Sequence, residues 1–150
     1  MEVKDLGHVV LFVSDLKRSR RFYGDVLGFK ELATMGTQAV VFASASGRTH
    51  HELLLIEVGA DAAPIPPGRR LGMYHFGLKI GESDDELRAA LGELEAAGVT
   101  VVGTSDHGVT HSVYIVDPDG NEIELYIDVQ PERWREDPAA IAAPIKPLVL

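Results

Sequence analysis

Residues 8–13 read His-Val-Val-Leu-Phe-Val, and residues 75–80 read His-Phe-Gly-Leu-Lys-Ile. Each run opens on a histidine, reads as a strand and leads into a capped amphipathic helix, so one pattern occurs twice. After the first run, Ser14 or Asp15 can cap a helix with the apolar stripe Leu16, Phe22, Tyr23, Val26 and Leu27, and Gly28 offers a left-handed stop. After the second, Ser83 and Glu86 form a capping box, Leu87, Ala90, Leu91 and Leu94 recur at helical spacing, and Gly98 is the stop. Three strand-like segments follow each helix, at about 29–35, 38–45 and 50–58, then at about 100–105, 111–116 and 121–128. Asp117-Pro118-Asp119-Gly120-Asn121 is the turn before the last of them.

The pattern predicts an α+β fold: tandem βαβββ modules forming a curled, cleft-enclosing mixed β-sheet with the helices outside. Module one covers about 5–60, an Ala- and Pro-rich linker about 59–72, and module two about 73–130, together a single domain over 1–130. Residues 131–150 form a C-terminal tail with Trp134 and an apolar end, expected to pack back on the body or on a partner.

Composition narrows the chemistry. The 150 residues carry a net charge of −9, which argues against a phosphate-tracking, nucleic-acid-binding surface. There is no cysteine, hence no disulfide scaffold, thiolate metal site or cysteine nucleophile. No apolar run reaches the roughly 18 residues of a membrane span, and the acidic start lacks the pattern of a secretory signal, so a cytoplasmic location is expected.

Strand parity then sorts the polar residues. Over 121–128, Ile123, Leu125 and Ile127 share one face, while Glu122, Glu124, Tyr126 and Asp128 share the other. Over 75–80, Phe76, Leu78 and Ile80 point to the core and His75, Gly77 and Lys79 away from it; over 111–116, Val113 and Ile115 oppose Ser112, Tyr114 and Val116. By repeat analogy His8 shares the cleft face with His75 and Glu124. Two neutral imidazoles and one carboxylate with open positions suit a divalent first-row metal, above all non-haem Fe(II), with Mn, Ni or Zn as other occupants.

From Leu6 to about Asp128 the chain resembles the vicinal oxygen chelate superfamily of glyoxalases, bleomycin- and fosfomycin-resistance proteins and extradiol dioxygenases. The resemblance implies metal ligands at His8, His75 and Glu124. The run from His107 through Tyr114 to the Asp117-Pro118-Asp119-Gly120 turn and Glu124 is similar to the extradiol ring-cleavage signature. Its spacings of seven and ten residues fit that signature, whereas Ser105 departs from it. The segment Thr49-His50-His51-Glu52 leaves two frames open, since Leu53 to Ile56 are all apolar. With His51 in the cleft it matches the strand on which extradiol enzymes carry an acid/base histidine; with Glu52 there, the site takes the glyoxalase pattern. His51 is favoured, His50 is placed at the rim, and His111 is read as a polar contact opening its strand.

The resemblance thus implies a metal-dependent extradiol-type dioxygenase acting on a catechol-like aromatic with dioxygen, with His51, His107 and Tyr114 catalytic. The alternatives are a glyoxalase-like lyase or isomerase and a metal-free drug-binding module. A homodimer is expected.

Overall fold

A computed structural model describes the whole chain, Met1–Leu150. The chain divides into two compact units, Met1–Ile65 and Pro66–Leu150, with the boundary inside the Ala- and Pro-rich segment. Each unit is a four-stranded mixed sheet with one main helical segment between its first and second strands. The tandem βαβββ pattern is present, with its eight strands distributed over two sheets.

The first unit contains β1 (Val9–Val13), α1 (Leu16–Arg20), β2 (Lys30–Met35), β3 (Ala39–Ala43) and β4 (Leu53–Glu57), in sheet order β1-β4-β3-β2. β1 runs parallel to β4, and the other pairs are antiparallel. Alternation gives the sheet a buried face: Leu11, Val13, Val40, Phe42, Leu53 and Leu55 are buried together with Leu16, Phe22 and Tyr23 of the helical segment. Asp15, not Ser14, caps α1, its carboxylate accepting the Arg18 amide at 2.9 Å. The expected single helix is interrupted. From Arg21 to Val26 the backbone widens into a π turn, and the Leu27 amide bonds the Phe22 carbonyl five residues back at 3.0 Å. The extra residue per turn swings Val26 and Leu27 off the buried stripe, leaving both half-buried.

The second unit repeats the plan with β5 (His75–Gly81), α2 (Asp84–Ala96), β6 (Val101–Asp106), β7 (Thr110–Val116) and β8 (Glu122–Asp128), ordered β5-β8-β7-β6. Ser83 caps α2, its Oγ accepting the Glu86 amide at 3.4 Å as the capping-box spacing predicts, while Glu86 Oε2 accepts the Glu82 amide and the Ser83 hydroxyl, each at 2.8 Å. The core is Leu87 and Leu94 of α2 with Val113, Ile115, Ile123, Leu125 and Ile127. Phe76, Leu78 and Ile80, expected in that core, are only half-buried, because β5 is an edge strand with a neighbour on one side alone. Asp128 is buried on the opposite parity and is held by Lys79 Nζ at 2.7 Å.

The tail joins the second unit. α3 (Pro131–Glu136) and a 3₁₀ turn over Pro138–Ala142 lead to Lys146, which exchanges both backbone hydrogen bonds with Asp106 at 2.9 Å. That contact covers one end of β6, the other edge of the sheet, and Ala140 is buried on the way. No helix is long and apolar enough to cross a membrane.

Candidate metal centre

Parallel pairing of β5 with β8 sets His75 beside Glu122 and Gly77 beside Glu124. Glu122 and Glu124 lie two residues apart on one face, so the His75 ring meets a carboxylate at each nitrogen. Nε2 is 3.3 Å from Glu124 Oε2, and Nδ1 is 3.6 Å from Glu122 Oε1. Gly77 lies under this pair: a Cβ there would meet Glu124 Oε2 at 3.6 Å and the Tyr126 ring at 3.4 Å, ordinary contact distances.

The other Glu124 oxygen is held by β7. Oε1 accepts from the Ser112 hydroxyl at 2.6 Å and from the Tyr114 phenol at 3.2 Å. Tyr114 lies directly opposite Glu124 in the β7–β8 register, and its ring meets His75 edge-on with centroids 5.6 Å apart. The phenol oxygen is also 3.0 Å from His107 Nε2. With Tyr114 donating to Glu124, His107 donates from Nε2, a tautomer assigned from the network. Burial, and then the Glu124 charge, push the Tyr114 phenol above its ordinary value, so it stays a donor.

His107 sits in a tight turn. Its amide donates to Thr110 O at 2.9 Å, Asp106 Oδ1 accepts the Gly108 amide at 2.6 Å, and Gly108 takes φ +80°. Ser112, fully buried beneath Glu124, had no assigned role in the sequence; its cleft-side parity was the available signal. His111 spans two carboxylates, with Nδ1 2.6 Å from Asp84 and Nε2 3.7 Å from Asp106, and so ties β7 to the first turn of α2.

In the first unit, the Val9 amide donates to Glu52 O at 2.9 Å and draws His8 to the loop before β4. His8, His50 and His51 each offer a ring nitrogen within 4.8 Å of the others. His51 stacks on His8 at 4.4 Å between centroids, and its backbone amide donates to Thr49 Oγ1 at 3.1 Å. Partial burial, then the neighbouring His50 and His8, push the His51 imidazole below its usual value. β4 begins at Leu53, so His51 and Glu52 lie in the loop and strand parity does not choose between them. Both Glu52 oxygens accept backbone amides, Ser44 at 2.8 Å and Thr49 at 3.3 Å, and the Ser44 bond lowers its pKa.

His8, His50 and His51 are close enough to share an ion, and in the second unit one pair of donors has ligand spacing. Metal–ligand bonds of about 2.1 Å meeting at a right angle put two donor atoms about 3.0 Å apart. His75 Nε2 and Glu124 Oε2, at 3.3 Å, have the separation of adjacent ligands, and hydroxyl donors leave Oε2 free of other partners.

Residues 5–125 match the profile of the Glyoxalase/Bleomycin resistance protein/Dioxygenase superfamily, and the chain belongs to that family. It is 35% identical over 132 residues to a catechol-2,3-dioxygenase of Bacillus subtilis, covering 88% of this chain but only 44% of that protein. It is 32% identical to a lactoylglutathione lyase of Haemophilus influenzae, with 79% and 88% of the two chains covered. A glyoxalase/dioxygenase from Nostoc punctiforme shares the fold, with a TM-score of 0.69 at 23% identity over 85% of this chain and 92% of that one.

Proposed function

We propose that the protein is a metal-dependent, extradiol-type ring-cleaving dioxygenase acting on a catechol-like aromatic. One observation carries the reading. Glu124 turns one oxygen to His75 Nε2, while its other oxygen anchors Tyr114, whose phenol meets His107. His107, Tyr114 and Glu124 belong to the run that is similar to the ring-cleavage signature, and the similarity to a catechol dioxygenase supports the same choice.

On this reading His75 and Glu124 are ligands, with His8 as the third by its repeat relation to His75, and Fe(II) is the working metal. Held by these residues, the ion would supply a Lewis-acidic, redox-active centre at which a catechol and dioxygen could react. Tyr114 and His107 exchange their present contacts for hydrogen bonds donated to the substrate oxygens, which hold the ring in attack geometry. His51, favoured as neutral imidazole by its lowered pKa, takes and returns the proton near dioxygen. Glu52, whose two oxygens each accept one backbone amide, is the ligand that the glyoxalase-like alternative would add.

The test is anaerobic reconstitution with Fe(II), then a panel of catechols in air beside methylglyoxal hemithioacetal. Oxygen uptake with a coloured ring-opened product is the expected result. Turnover of the hemithioacetal without oxygen uptake would replace the reading with a lyase. Tight aromatic binding by metal-free protein, with neither activity, would replace it with a sequestering module.

A further inference from the structure

His75 Nδ1 is a buried ring nitrogen with no hydrogen-bond partner. Facing it is Glu122 Oε1 at 3.6 Å, a few tenths of an ångström beyond hydrogen-bond reach. The neighbouring Tyr74 ring lies 4.7 Å from the His75 ring, centroid to centroid. The β5–β8 register places His75 directly beside Glu122, so the backbone itself fixes this approach. Buried polar atoms are ordinarily paired, and an imidazole that ligates a metal through one nitrogen ordinarily donates the other N–H to a carboxylate or carbonyl.

We propose that Glu122 is a positioning residue for the metal centre: it accepts a hydrogen bond from His75 Nδ1–H and thereby turns the Nε2 lone pair to the ligand position beside Glu124 Oε2. The inference rests on the reading of His75 and Glu124 as ligands. One imidazole then lies between two carboxylates of the same strand, with Glu124 beside it in the coordination sphere and Glu122 orienting it. A negative acceptor also raises the basicity of the opposite nitrogen, so the charge of Glu122 contributes as well as its shape.

The test is Zn(II) affinity of the full chain, measured by competition with a chromogenic chelator. Glu122→Ala should weaken binding about 10–100-fold. Glu122→Gln, which keeps an acceptor but not the charge, should fall between that variant and the unaltered protein. A role in folding alone is separated by two further measurements. Metal-free Glu122→Gln should melt at the same temperature as the unaltered protein. In the Zn(II)-loaded protein the His75 Nδ1–H proton should exchange slowly with solvent, and Glu122→Ala should lose that protection. Glu122→Ala affinity within twofold of the unaltered protein would overturn the inference, provided His75→Ala and Glu124→Gln lose the ion. Should those two variants bind as well as the unaltered protein, the ligand reading fails and the inference falls with it.

Discussion

Glu124 serves two purposes with two oxygens, so its replacements separate charge from shape. Glu124→Gln keeps the size and the acceptor for Ser112 and Tyr114 but removes the anion beside His75. The protein should retain one metal per chain after desalting, and the variant should be depleted, as read by elemental analysis. Full occupancy in the variant would remove Glu124 from the ligand set. Tyr114→Phe should be milder, because one hydrogen bond near a charged oxygen contributes about 1–2 kcal/mol, or roughly 5–30-fold in kcat/KM. Burial and the Glu124 charge hold the folded phenol above its unfolded value, so this contribution to stability is whole below about pH 10 and declines as pH rises through the folded value. Thermal melts above that pH should therefore fall more steeply in the parent than in Tyr114→Phe.

The packed elements follow from alternation where one face is plainly apolar. Ile123, Leu125 and Ile127 of β8, and Val113 and Ile115 of β7, are buried as parity predicts, which places Glu124 and Tyr114 on one common face. Three features were not legible for physical reasons. Leu53 to Ile56 are all apolar, so no period marks the face, and the turn that holds His51 is set by contacts with Ser44 and Thr49. The π turn after α1 coincides with burial of the adjacent Phe22 and Tyr23, which a regular apolar stripe does not announce. The contact of Glu122 with His75 depends on parallel register, which neither strand states alone. Leu87 is fully buried in α2 whereas Leu91 is half-buried. Leu87→Ala should therefore cost about 2–5 kcal/mol in denaturant unfolding, and Leu91→Ala distinctly less. Equal costs would mean that α2 packs through a different stripe.

At the scale of the whole molecule, the two halves share a topology but not a chemistry. The first unit carries three clustered histidines, and the second carries the carboxylate, the phenol and two further histidines of the proposed centre. The edge strand β1 leaves Phe12 68% exposed beside exposed Val10, both on the strand parity of His8. A homodimer is the expected assembly; a monomer mass by light scattering at micromolar concentration would reject it. Ring cleavage itself is tested most directly by stoichiometry, with oxygen consumption and ring-opened product measured together in Fe(II)-loaded protein given a limiting catechol. The proposed function predicts one dioxygen consumed per ring opened, and loss of most turnover in His51→Ala with the metal retained. Product formed without oxygen uptake, or no uptake across a broad catechol panel with the metal in place, would contradict it.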